Sequence, residues 1–285
     1  METADREMLT IAGRYLPAIV GFASLLLAGG LGDSNATLTF PLRTRVEAFK
    51  GSGVVQEARI ENKLPIRQTA VLICDMWDHH WCSGSEKRVG ILAPKIAAVI
   101  KQARARGLLI IHAPSETMSF YKDYPQRQRM LEVPKVEPPA PLELADPPLP
   151  IDDSGGGCET GEKGRKPYPW TRQHAAIPIA ADDVISDQGP EIYSLLAQRG
   201  IKNLLVMGVH TNKCILNRTF AIKQMTRWGV RCILVRDLTD SMYDPQKRPF
   251  VPHDEGTELV IQHIERYWCP TTHSQDLLRA LQAVR

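Results

Sequence analysis

The chain has no block of lysine and arginine with interleaved aromatics, so it lacks the electrostatic stripe that nucleic acid requires. A formal net charge of +3 over 285 residues is too small to supply one by composition alone. No glycine-rich phosphate loop follows the first apolar strand, which removes the signature of a dinucleotide or other organic cofactor. The six cysteines form neither a zinc spacing nor the framework of a small disulfide domain. The longest uncharged apolar run, Tyr15 to Leu31, is short for a membrane span.

What remains is an ordinary globular composition, 43% hydrophobic and 24% charged, able to build a core without staples. The run YLPAIVGFASLLLAGGL suits the apolar region of an export signal instead. Arg14 precedes it, and Ser34-Asn35-Ala36 follows with the small-x-small spacing of a cleavage site. Residues 1–36 are therefore expected to be a signal peptide or, if uncleaved, an anchor through residues 15–31, placing the rest in the periplasm or outside the cell. Cys82 and Cys158 fall in loops and in an exported chain could pair; the sequence leaves that open. Cys74 and Cys232 stand in apolar runs as core residues.

A helix–glycine–strand unit recurs three times: PKIAAVIKQARARG with LLIIHAPS, PEIYSLLAQRG with IKNLLVMGVHT, and CILNRTFAIKQMTRWG with VRCILVRDLTD. Gly107, Gly200 and Gly229 stand where a left-handed residue ends a helix. The short apolar runs that follow are the pattern of strands buried on both faces. With Thr69 to Cys74 as a further strand, these units predict an α/β fold: a parallel sheet of about six strands with helices on both faces, a Rossmann-like three-layer sandwich. Residues 37–68 read as a preceding β-hairpin turning at Gly51-Ser52-Gly53. Residues 69–285 form the main domain, with a proline-rich insertion at about 133–168, a lid or a solvated excursion. TELVIQHIERYW reads as a closing amphipathic helix.

Open parallel sheets bind ligands beyond the C-terminal ends of their strands. The sequence collects Asp75, His112, Gly208-Val209-His210, Cys214 and Asp237 there. Cys214 opens a helix, where the dipole and unpaired N–H groups would lower its pKa and receive an oxyanion. Position alone leaves a buried structural cysteine equally open.

The segment GVHTNKCILNRTFAI resembles the nucleophile motif of the isochorismatase-like cysteine hydrolases, a superfamily that includes nicotinamidases and N-carbamoyl amidases. ICDMWDHHWCSGS resembles that family's first-strand motif. The resemblance runs from about residue 69 to about residue 266. It implies Cys214 as nucleophile and Asp75 as the carboxylate that moves its proton. It also implies a cis Val209–His210 peptide, with the N–H groups of His210 and Cys214 as oxyanion hole. The family lysine at the end of the third strand is matched here by Arg172, which keeps the charge and cannot release a proton. Trp77, Asp78, His80, Trp81 and His112 are expected around the pocket, His79 beside them. The family's metal-binding Asp-x-His pattern is missing from HAPSETMSFYKDYPQRQ, so no metal and no cofactor are expected.

The resulting expectation is hydrolysis of a C–N bond in a small amide, carbamoyl or ureide compound through a thioester. The alternative is an exported, catalytically weak relative that binds a ligand or partner through the hairpin and the insertion. A small-molecule substrate and a possible homo-oligomer are the expected partners, with no nucleic acid, and membrane contact only through an uncleaved leader.

Overall fold

In the computed structural model, residues 36–284 are described, and the expected leader, residues 1–35 with the apolar run at 15–31, lies outside them. Strands β1 (Thr37–Glu47) and β2 (Val55–Pro65) form an antiparallel hairpin, as read from the sequence. The remaining strands are β3 (Thr69–Cys74), β4 (Leu109–Ala113), β5 (Val184–Ile185), β6 (Asn203–Val209), β7 (Arg231–Asp240) and β8 (Thr271–Thr272). They make one sheet in the order β2-β1-β8-β7-β6-β3-β4-β5, in which the six from β8 to β5 run parallel. The hairpin joins this sheet where Arg43 of β1 pairs antiparallel with Thr271 of β8.

The helices are α1 (Ser83–Ala105), α2 (Met118–Tyr121), α3 (Pro125–Leu131), α4 (Gly189–Gln198), α5 (Cys214–Asn217), α6 (Ile222–Arg227), α7 (His253–Tyr267) and α8 (Ser274–Ala283). Alternation along β3 divides the core. Val71 and Ile73 pack toward α1 and α8, whereas Ala70, Leu72 and Cys74 pack toward α4, α5, α6 and α7. All six β3 side chains are buried, as a strand covered by helices on both faces requires. The helix-ending glycines 107, 200 and 229 all have positive φ.

Three elements differ from the sequence reading. Helix α1 begins at Ser83 and runs through Pro94, which forfeits only its own N–H bond while Val89, Leu92, Ala93 and Ile96 bury one continuous face across it. The third expected helix is broken. Arg218 leaves α5 in extended geometry (φ −63°, ψ 149°), and Thr219 then packs so tightly on Gly189 that a Cβ there would lie 2.1 Å from the Thr219 carbonyl oxygen. Finally, α7 does not close the chain, because β8 and α8 follow and α8 covers the α1 face.

The insertion carries no α-helix and no strand, only a 3-10 turn at Ser154–Gly156, yet it is tied to the domain at several points. Leu142 N–H donates to the Arg227 carbonyl, Asp146 pairs with Lys223 at 2.6 Å, and Asp153 pairs with Lys213 at 2.9 Å. Cys158 is disulfide-bonded to Cys82, with Cα atoms 5.8 Å apart. Most of its side chains are nevertheless exposed, so it is a solvated excursion tied to the domain at these points.

Candidate active site

The crest of the sheet is set by two chain reversals. Asp75 follows β3 with φ +47°, a left-handed conformation rare for a non-glycine residue and concentrated at functional sites. Beside it, β6 reaches Gly208 at φ +117°, where a Cβ would lie 2.0 Å from the Cys74 carbonyl oxygen. Only glycine permits that approach. It brings Val209, His210 and the following Cys214 up against the end of β3. The Val209–His210 peptide is cis, as the resemblance implied.

Asp75 is fully buried. Oδ1 accepts the Ser115 N–H at 2.7 Å, Oδ2 accepts Arg218 Nε at 2.9 Å, and the Cys214 thiol and Ser115 hydroxyl also lie against the carboxyl. Burial raises the Asp75 pKa, against the pull of Arg218 and the other hydrogen bonds. Burial likewise raises the Cys214 pKa, and the Asp75 charge adds to it, while Arg218 and the His210 N–H oppose. Burial thus disfavours the Cys214 thiolate at rest. The sequence expectation of a thiolate favoured by the helix dipole is corrected, because α5 is one turn long and its dipole is small beside burial.

Arg218 is the cation of this site, and sequence reasoning missed it. Burial disfavours its charge, but Asp75 more than compensates and raises its pKa. Its NH1 also faces the exposed Glu116 at 3.8 Å. The signal was present: Arg218 stands four residues after Cys214, one helical turn on, which puts the two side chains on one face. Arg172 is not brought to this pair. It lies in irregular chain before β5, its side chain half exposed, with Nε 3.8 Å from Asp78 and the guanidinium 5.4 Å from the Phe120 ring centre. The third parallel strand in chain order, β5, ends at Ile185, well beyond it.

Cys214 opens on a cleft of about 580 Å³, with Arg218 and Lys213 on one side and Asp146, Leu149 and Asp153 of the insertion opposite. The expected pocket residues lie elsewhere. His112 is fully buried inside β4, with Nδ1 2.9 Å from Gln173 Oε1 and Nε2 2.9 Å from Asp183 Oδ2. Although burial works against its charge, Asp183 is held at about 2 by His112 and Arg104. This network fastens β4 to the approach of β5; one residue short of the strand end, His112 points into a packed face and not over the crest. Trp77 is also buried, its Nε1 donating to the Ser115 carbonyl and its ring stacked on Trp170 at 4.2 Å.

Asp78, His80 and Trp81 line a neighbouring cleft of about 450 Å³ with Glu162 and His174. Asp78 accepts from Thr171 and the Arg172 N–H, His80 Nδ1 accepts the Cys82 N–H, and His79 turns toward Glu86. Burial drops the His80 pKa to about 4. Its ring lies 5.0 Å from that of His210, whose Nε2 meets Ser85 Oγ. Asp237 does not end its strand. β7 continues to Asp240, and Asp237 instead accepts from Ser274 at the start of α8.

No protein-family model matches the chain, and no curated protein sequence does. Solved structures do. A cysteine hydrolase from Pseudomonas syringae pv. phaseolicola aligns with a TM-score of 0.51 and 17% identity, over 78% of this chain and 96% of its own. An isochorismatase family protein from Burkholderia thailandensis aligns at 0.45 and 17%, over 76% and 97%. A nicotinamidase from Bacillus subtilis aligns at 0.37 and 14%, over 70% and 94%. Identities this low show the fold alone, and the first of these carries it: this chain shares the fold of that cysteine hydrolase.

Proposed function

We propose that the chain is a cysteine hydrolase acting on a C–N bond of a small amide, carbamoyl or ureide compound through a thioester. The observation that carries this reading is the contact of the Cys214 thiol with a buried carboxylate, Asp75, at the floor of an open cleft. A raised carboxyl pKa suits a group that must take up and return a proton near neutral pH.

The steps balance with these residues alone. As Cys214 Sγ attacks the carbonyl carbon, its proton passes to Asp75, and the oxyanion forms beside the His210 N–H, which already points at the sulfur. The C–N bond breaks as Asp75 delivers that proton to the leaving nitrogen. Water then gives a proton to Asp75 and its oxygen to the thioester carbon; the C–S bond breaks and the sulfur recovers the proton. Arg218 stays charged throughout and offsets the negative charge shared by sulfur and carboxylate.

Export is part of the same reading. A disulfide between Cys82 and Cys158 persists in an oxidising compartment, which supports placement of the domain in the periplasm or outside the cell. Sequencing the N-terminus of protein from the native host tests this, with cleavage after Ala36 expected. The chemistry is tested by screening small amides and ureides with mass-spectrometric trapping of an acyl-enzyme. An adduct on Cys214 is expected, and turnover that survives Cys214→Ala overturns the thioester.

A further inference from the structure

Strand β2 is the outer edge of the sheet. β1 pairs along one side of it, and no strand among the described residues pairs along the other. An open edge of eleven residues is a template for a further strand. Its two faces carry different information. On one, Ile60 stands opposite the buried Leu42 of β1 and is itself 56% exposed. On the other, Glu57, Arg59, Glu61 and Lys63 follow one another, all exposed and alternating in sign. Within one copy Arg59 Nε meets Glu57 Oε1 at 2.9 Å.

We propose that β2 is a self-pairing surface, at which two copies of the chain join antiparallel about a two-fold axis through Ile60. An axis perpendicular to the sheet keeps each side chain on its own face, so only residues of equal parity stand opposite one another. Ile60 is the midpoint of β2, so this centre alone pairs the whole strand. It sets Arg59 against Glu61 of the second copy, Glu57 against Lys63, and Ile60 against itself. Every charge meets its opposite. Moving the centre by one residue reverses this. At Arg59, Glu57 faces Glu61 and Arg59 faces itself; at Glu61, Arg59 faces Lys63 and Glu61 faces itself. Like charges directly opposite destabilise a strand pair, so the sign pattern rejects both neighbouring registers. Centres at Ala58 or Asn62 match one kind of charge pair only and shorten the ladder. The charges remain in water after pairing and act on register, while backbone hydrogen bonds and the burial of Ile60 hold the copies together. The same register carries the second copy's hairpin turn past Lys63, toward a cleft of about 480 Å³ lined by Leu64, Pro65, Tyr193, Leu196 and Trp228. That turn bears the exposed Phe49 and Val54.

The test is the assembly state of the protein purified from the native host. Sedimentation is expected to show a dimer. Arg59→Glu sets like charges opposite at two symmetry-related places and should raise the dissociation constant by about tenfold or more. Adding Glu61→Arg to that variant restores opposite signs and should restore the dimer. Ile60→Cys should form an interchain disulfide on mild oxidation, because opposite residues of an antiparallel pair have Cα atoms about 4.5–5.5 Å apart. Gln56→Cys should not, since it lies about 27 Å along the ladder from its counterpart. All these positions are exposed, so circular dichroism should show every variant folded. A monomer at every concentration overturns the proposal. So does a dimer without the Ile60→Cys disulfide, which would use another face, or a loss in Arg59→Glu that Glu61→Arg does not reverse. Should Arg59→Glu alone disturb the hairpin, the double variant and the Ile60→Cys disulfide still decide.

Discussion

Arg218 donates through Nε to Asp75 Oδ2 at 2.9 Å, from a position one helical turn beyond Cys214. The nucleophile and the charge that steadies its proton acceptor thus come from one short stretch of chain, CILNR. Loss of that charge should weaken acylation. Para-nitrophenyl acetate acylates a reactive thiol with a burst of nitrophenolate. Arg218→Met is expected to slow that burst by about tenfold or more, since a nearby cation is worth roughly one to three pKa units. Arg218→Lys should retain part of the rate, and Arg172→Met should leave it unchanged. Equal losses from the Arg218 and Arg172 variants would return Arg172 to the site.

Cys214→Ala and Asp75→Asn should each abolish turnover and leave the fold intact. The double variant should be no worse than either single one, because the two residues share one proton transfer. Circular dichroism and thioester trapping on the three variants check this. Multiplicative losses would mean that the residues act in separate steps.

The insertion gives a prediction of a different kind. Cys82 precedes α1 and Cys158 lies in the insertion that also lines the Cys214 cleft, 76 residues apart in sequence. Replacing both by serine should lower stability by about 2–5 kcal/mol, the usual range for a native disulfide, read from urea unfolding. Asp146 and Asp153 remain to hold the wall, and neither cysteine touches Asp75 or Arg218. KM should therefore rise more than kcat falls once a substrate is in hand.

How much of this could be read beforehand follows from what each feature depends on. The sheet, the hairpin and the helix ends were legible because they rest on local periodicity and on glycines at fixed offsets, as at Gly107, Gly200 and Gly229. Asp75 and Cys214 could be placed at the crest because a strand end and a helix start are local signals, whereas their roles rested on the resemblance. Arg172 was misplaced because its assignment relied on counting to a strand of only two residues, Val184–Ile185, hidden behind an aperiodic insertion. Arg218 was overlooked although its spacing of four from Cys214 was legible, because the cation of the site was sought at the third parallel strand, at Arg172. The wall formed by Asp146 to Asp153 is fixed by ion pairs to residues distant in sequence.

Buried Asp75 and half-buried His253 each contribute stability that is lost as pH rises, from different onsets. His253 sits between Asp240 Oδ1 and Glu159 Oε2, each at 2.9 Å, with Arg88 bound to both carboxylates. Burial works against its charge, but Asp240 and Glu159 win over burial and over Arg88, and the pKa is raised above 6.5. The folded state therefore binds this proton more tightly than the unfolded chain. The stabilisation is complete below about 6.5 and is lost as pH rises through the raised value. Asp75 has the same sign for another reason: burial raises its pKa above 3.8, so its contribution is present below that value and is lost as pH rises through the folded value. Read as the difference in unfolding temperature from the parent across pH, Asp75→Asn should remove a contribution that declines above about 3.8, and His253→Gln one that declines above about 6.5, each leaving the other in place. A single variant that removes both would mean the two groups titrate as one network, which the separation of their partners in the structure argues against.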